Sequence, residues 1–212
     1  MADRSPAKTR LYAQIAVLAV AAMLGAFSFM IYFNRGDDAF ADCRASRVAA
    51  GTASIGGPFT LVDALGKTVT DKDVLTKPSL IYFGYTFCPD ICPLDAARNA
   101  EAVDLLAAKG YEVTPVFISI DPGRDTPEVV GNFADFMHPQ MIGLTGSPEQ
   151  VKAASQAYKT YFRKNGEGED YLMDHSTFTY LVLPKTGFAE FFRRDDTPEA
   201  MADRVACFID RS

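Results

Sequence analysis

Histidine is nearly missing from this chain of 212 residues: its two copies leave little imidazole for a multi-histidine metal site. Cysteine is also sparse, and four copies are too few to build a fold from disulfides. There is no excess of positive charge. The 21 Lys and Arg stand against 27 Asp and Glu, a formal charge of −6, and that composition excludes a nucleic-acid binder. What remains is ordinary for one folded globular domain, with 48% hydrophobic and 23% charged residues, 15 Gly and 12 Pro. Any chemistry must rest on a few side chains.

Charge disappears altogether from Leu11 to Phe33, a run without proline and with Gln14 as its one amide. As a helix this run reaches about 34 Å, enough to cross a hydrocarbon core of roughly 30 Å. Arg4, Lys8 and Arg10 precede it against Asp3 alone, while Asp37 and Asp38 follow Arg35, so the positive-inside rule places residues 1–10 in the cytoplasm. The alternative is a cleaved signal peptide, because Ala39-Phe40-Ala41 is an A-x-A-like triplet. The apolar run, however, exceeds the roughly 7–15 residues of a signal core. A buried core helix would carry a polar stripe, which is absent here. Beyond the span, residues 35–212 hold 18 basic and 26 acidic side chains, a net −8 that serves solubility and suits basic or metal-cation partners.

Residues 34–57 lack a sustained period and end in Gly56-Gly57, which reads as a linker, and the domain proper spans 58–212. Phe59–Val62 and Thr68–Thr70 flank a five-residue loop and predict a hairpin. The run Ser79–Tyr85 is apolar throughout, as a strand covered on both faces should be. Asp95 to Lys109 reads as helix closed by Gly110, and Val113 to Ile120 as a second buried strand that Pro115 weakens on one side. Thr126-Pro127-Glu128, Ser147-Pro148-Glu149 and Thr197-Pro198-Glu199 each set a hydroxyl cap before a proline at the first helical position. After Ser147 the helical spacing continues through Val151, Ala154, Tyr158 and Tyr161. Strands are also expected at Met141–Leu144, Thr177–Leu183 and Phe188–Phe192, and a loop insertion at Lys164–Asp170. The alternation predicts an α/β sandwich around a mixed sheet.

Cys88-Pro89-Asp90-Ile91-Cys92 follows the strongest strand directly. Thiols at a strand-to-helix junction meet free N–H groups and the helix dipole, which favour thiolate. With three residues between them, the sulfurs lie one helical turn apart, close enough to share a soft metal or to form a disulfide after adjustment. His175, in Asp174-His175-Ser176 just before the Thr177–Leu183 strand, is the better third ligand, with Asp174 placed to fix its ring. His138, at a helix end, is placed to meet the last carbonyls. Two thiolates and one imidazole suit copper in either oxidation state, whereas structural zinc would want a fourth protein ligand. Asp90 either tunes the thiols or caps the helix that begins near Cys92. Asp121-Pro122, at a strand end, is better placed to hold Arg124 than to touch a metal.

Phe83–Pro93 (FGYTFCPDICP), Ile118–Glu128 (ISIDPGRDTPE) and Asp174-His175-Ser176 with Tyr180-Leu181-Val182 resemble, in order, the three signature segments of the Sco/SenC family, over about Gly57 to Asp210. The resemblance implies a thioredoxin-like fold and copper ligation by Cys88, Cys92 and His175. It further implies a metallochaperone role rather than an enzyme's, with copper, as Cu(I) or Cu(II), passed to the dinuclear centre of cytochrome c oxidase subunit II. With the anchor, it implies an inner-membrane protein whose domain lies in the periplasm, or the intermembrane space if mitochondrial, among other copper chaperones and thiol reductases. Phe87 departs from the polar or imidazole side chain of many relatives, and Gly123 from a common acidic one.

Cys43 and Cys207 fall outside that signature. Cys43 follows Asp42 and so is no lipobox cysteine, and Cys207 lies off the Met201, Val205, Phe208 and Ile209 face of the last helix. In an oxidising compartment the two would form a bridge clamping the linker to that helix; two free thiols are the alternative. Two competing functions remain. One is a thiol–disulfide oxidoreductase using Cys88 and Cys92, which tolerates loss of His175. The other is a peroxiredoxin-like peroxidase, weakened because Thr86 lies two rather than three residues before Cys88.

Overall fold

The computed structural model describes residues 6–33, 39–44 and 55–212. Asp3, Arg4, Arg35, Asp37, Asp38 and much of the expected linker lie outside the described residues. The chain divides into two compact units, residues 1–39 and 40–212. In the first, helix α1 spans Pro6–Phe33 and is, among the described residues, the one helix long and apolar enough to cross a membrane. Its described side chains are exposed all round, so it offers no single face to a soluble core.

The second unit is an α/β layered domain. Its strands are β1 (Thr60–Asp63), β2 (Thr68–Thr70), β3 (Ser79–Gly84), β4 (Thr114–Ser119), β5 (Ile142–Thr145), β6 (Phe162–Asn165), β7 (Leu172–His175), β8 (Thr179–Leu183) and β9 (Gly187–Phe192). The helices are α2 (Asp71–Val74), α3 (Ile91–Ala108), α4 (Pro127–Met137), α5 (Pro148–Ala157) and α6 (Pro198–Asp210). Seven strands form one mixed sheet in the order β2-β1-β5-β4-β3-β8-β9, in which β3, β4 and β5 run parallel and the other pairings are antiparallel. This is the thioredoxin-like arrangement the resemblance implied. Strand β3 is buried at every position, as a strand with a neighbour on each edge and helices on its faces must be. Pro115 pairs with Leu80 of β3, while the ladder to β5 begins at Val116, so the missing N–H falls where no partner needs it.

The helix starts follow the capping chemistry. Thr126, Ser147 and Thr197 accept hydrogen bonds from the N–H groups of Val129, Gln150 and Ala200, each followed by proline in the first turn. Three expectations need correction. Helix α3 begins at Ile91, four residues before the expected start, because Pro93 fits its first turn, where N–H groups have no intrahelical acceptor. Helix α5 ends at Ala157: Lys159 takes a left-handed φ of 55°, and Tyr161 lies outside the helix and exposed. The insertion at Lys164–Asp170 is the end of strand β6 and the tip of a hairpin, with Phe162 paired to His175, Arg163 to Asp174, Lys164 to Met173 and Asn165 to Leu172. That hairpin, β6–β7, is a separate two-stranded sheet, and His175 is its last strand residue rather than a loop residue.

Candidate metal centre

Strand β3 delivers the chain to the site through Gly84. A Cβ there would lie 2.7 Å from the Tyr82 ring, 3.0 Å from Phe117 and 3.2 Å from Cys92 Sγ, so only glycine lets the sulfur of α3 come this close to the strand end. The Cys88 N–H then donates to the Tyr85 carbonyl, closing the turn. The side chain of Asp90, at the cap position of α3, makes no capping bond and is exposed. The Cys88 sulfur takes that place, accepting the Cys92 N–H at 3.3 Å. Burial works to raise the Cys88 pKa, but the N–H groups of Asp90, Cys92 and Ile91, with the Cys92 side chain, outweigh it and lower it below the ordinary thiol value. Cys92 is fully buried, and burial pushes its thiol well up. The pair thus holds one half-exposed sulfur inclined to thiolate and one buried sulfur that keeps its proton.

His175 comes to the same point from the separate hairpin. Its Nδ1 lies 2.8 Å from the Ser176 carbonyl, which can only accept, so the proton sits on Nδ1. The Nε2 lone pair then faces Cys92 Sγ at 3.3 Å. Burial lowers the imidazole pKa and keeps the ring neutral, as a ligand requires. Tyr82 and Tyr85 present their edges to the ring at 6.2 and 5.8 Å and wall it in. The donor atoms of Cys88, Cys92 and His175 all lie within 4.8 Å of one another, and they form the candidate metal cluster among the described residues.

Asp174, expected to fix the ring, binds Arg163 at 3.2 Å and Asn165 at 2.9 Å instead, and the Ser176 carbonyl does the orienting. His138 is buried outside the cluster: its Nδ1 accepts the Gln140 N–H and its Nε2 meets Asp104 at 3.2 Å. Asp121 is engaged by Arg124 Nε at 2.7 Å and by the Tyr171 hydroxyl at 2.6 Å. Thr86 donates its hydroxyl and its N–H to buried Asp125, which leaves that hydroxyl committed away from Cys88. Sequence reasoning missed the tyrosine walls and Ser176, for which spacing carries no signal. Beside Cys88 a groove of about 650 Å³ runs between Phe87, Pro89, Arg124, Tyr171 and Leu172. Phe87 and Leu172 stand 52% and 46% exposed on it, beside the charged Arg124, Glu169 and Asp170, so the mouth of the site is part apolar and part charged.

Cys43 and Cys207 are joined in a disulfide with an S–S distance of 1.97 Å across 164 residues of sequence. Phe40 packs on Phe208 at 5.1 Å, Arg44 donates to the Ala189 carbonyl at 2.6 Å, and Arg211 meets Asp42 at 2.9 Å. Residues 40–44, within the stretch read as linker, are thereby packed on the domain. Ala189 lies near the β8–β9 turn, and the end of β8 pairs with the start of β3 at Ser79↔Val182. The disulfide and the metal cluster therefore sit at opposite ends of β3.

Residues 47–210 match the family model described as SCO1/SenC. The chain is 54% identical over 196 residues to Protein SenC of Rhodobacter capsulatus, covering 92% of this chain and 88% of that one. Among solved structures it is similar to Arabidopsis thaliana ScoI with copper bound, at 42% identity and a TM-score of 0.70 over 74% of this chain and 99% of that one. It is also similar to BsSco, described as a Sco-family cytochrome c oxidase assembly protein with a disulfide switch, at 26% identity and a TM-score of 0.58 over 74% of this chain and 94% of that one.

Proposed function

The chain belongs to the SCO1/SenC family, and on that premise we propose that it is a membrane-anchored copper chaperone for cytochrome c oxidase. Copper is the cargo, held by Cys88, Cys92 and His175 and delivered to the dinuclear centre of oxidase subunit II. The observation that carries this reading is the convergence of two thiols and one neutral imidazole within 4.8 Å. Helix α1 supports the anchor, and the charges flanking it support a cytoplasmic N-terminus with the domain in the periplasm, or the intermembrane space if mitochondrial.

The two thiols divide the work of loading and release. Cys88, half-exposed and inclined to thiolate, meets incoming copper first. Cys92 must lose a proton that burial holds on its sulfur, and that proton leaves to solvent as copper binds, because the His175 Nε2 lone pair is itself needed for the metal. Release is ligand exchange in which thiolates of the recipient displace the protein's own, entering along the groove beside Cys88. A second reading is favoured by the free state of Cys88 and Cys92. As a thiol–disulfide oxidoreductase the pair would give two electrons and two protons to an oxidase disulfide, become the Cys88–Cys92 disulfide, and need re-reduction by a thiol reductase.

Anaerobic copper titration of the reduced full chain in detergent, beside its His175→Ala variant, tests the choice. One stoichiometric site whose sulfur-to-copper charge transfer and electron paramagnetic resonance change on His175→Ala supports the chaperone. Absent copper binding, or binding indifferent to His175, with disulfide exchange intact, supports the reductase.

A further inference from the structure

We propose that Arg124 is a positioning residue for the metal centre, clasping the hairpin that carries His175 to the strand ends that carry the thiols. This rests on the copper-binding reading above and adds to it what holds the third ligand in place. The need for a clasp follows from the topology. Strands β6 and β7 share no ladder with the main sheet, so no strand pairing fixes His175 relative to Cys88 and Cys92. On its C-terminal side His175 is leashed by Ser176, Thr177 and Phe178 to β8, whose Thr179 pairs with Tyr82. On the other side Met173 and Phe162 pack the hairpin body on the core, but the hairpin tip, Gly166 to Asp170, is exposed and has no apolar hold of its own.

The Arg124 guanidinium occupies the junction of three segments. Its Nε donates to Asp121, just past the end of β4, at 2.7 Å, and its Nη1 donates to the Glu169 carbonyl of the hairpin tip at 3.1 Å. Its flat face lies 3.6 Å from the Tyr171 ring centre, 4.8 Å from Phe87 and 5.8 Å from Tyr85, so it touches both the hairpin and the loop before Cys88. Tyr171 closes the circuit by donating its hydroxyl to Asp121 at 2.6 Å. The arginine side chain is 17% exposed and its Nη2 is buried without a hydrogen-bond acceptor. A guanidinium desolvated at this depth is compensated by its stacked rings. An arginine serving only its own loop would need the Asp121 pair alone; the contacts to Glu169 and Tyr171 cross to the hairpin.

The test is a double-mutant cycle on the reduced full chain in detergent micelles, read by chelator competition for copper, by charge-transfer absorption and by electron paramagnetic resonance. Arg124→Ala is expected to weaken copper retention roughly tenfold, the lower end for groups that orient a ligand. Its spectrum should move toward that of His175→Ala, and the double variant should be no worse than His175→Ala. A wild-type spectrum in Arg124→Ala, or a further loss in the double variant, overturns the proposal. If the wild type binds copper and responds to His175→Ala while Arg124→Ala does nothing, the clasp alone is wrong. If the wild type binds no copper, the chaperone reading fails and the clasp is judged in the metal-free chain. There Arg124→Ala should abolish the ring-current shift that Tyr82 and Tyr85 impose on the His175 ring protons; an unchanged shift overturns it. Should Arg124→Ala not fold, Tyr171→Leu, which keeps the Asp121 ion pair, is expected to act in the same direction, and an unaltered copper spectrum in that variant equally overturns the clasp.

Discussion

Cys43 and Cys207 stand 164 residues apart in sequence and are bonded, whereas Cys88 and Cys92 are separated by three residues and are free. The distant pair sits among Phe40, Phe208 and their apolar neighbours, where a neutral disulfide suits its surroundings. The near pair sits at the start of α3, where helix N–H groups lower one thiol, burial raises the other, and an imidazole lone pair waits at 3.3 Å. Sequence proximity therefore does not decide which sulfurs bond; local electrostatics and neighbouring donors do. The two pairs thus differ in kind within one chain, one bonded in the core and the other poised for reaction.

The largest test of that contrast is Cys207→Ser. Opening a loop of 164 residues should cost up to about 5 kcal/mol on the chain-entropy estimate and lower the unfolding midpoint by roughly 10–20 °C. Copper titration should be unaltered, and a changed copper spectrum would erase the division between the two pairs. Next is Gly84→Ala, whose new methyl meets the Tyr82 ring and Cys92 Sγ. Overpacking should cost about 1–3 kcal/mol and, unlike the disulfide variant, disturb the metal spectrum too.

Smaller in free energy is the difference in thiol reactivity. Cys88 should alkylate at least about tenfold faster than Cys92 in the reduced chain, as mass analysis of brief labelling would read. For an acid whose folded pKa is lowered, the thiolate is present above that value and lost as pH falls through it, so the Cys88 rate should hold to a lower pH than an unperturbed thiol's. Equal rates would mean that helix position and burial do not distinguish the sulfurs. Smallest is Thr197→Ala, which removes the cap of the helix bearing Cys207 and should cost about 1 kcal/mol in thermal unfolding with no effect at the metal site.

Much of this was legible in the chain. The buried strand Ser79–Gly84 reads as one because it has nothing polar to expose, and three helix starts read directly because a hydroxyl before proline has one good use. Cys88, Cys92 and His175 could be named because few other side chains of this chain bind soft metals, and the structure brings them together. The hairpin β6–β7 escaped because Phe162–Asn165 is mostly exposed and β7 buries only Met173, too short for a period-two signal. The orienting role assigned to Asp174 failed because Arg163 and Asn165 claim its oxygens across that unseen hairpin. Cation stacking such as that of Arg124 on Tyr171 spans 47 positions and leaves no local mark.

The disulfide also settles where mechanical load enters the domain. A pull on the chain at residue 39 reaches Cys43 and crosses the bond to Cys207 in α6, so the residues between them form a closed covalent loop that the tension bypasses. Edge strand β2 and its neighbour β1, which a simple N-terminal attachment would peel first, stay slack. The thiols and the imidazole lie at the far end of β3 from the disulfide, so a pull from the N-terminal side enters the domain away from them.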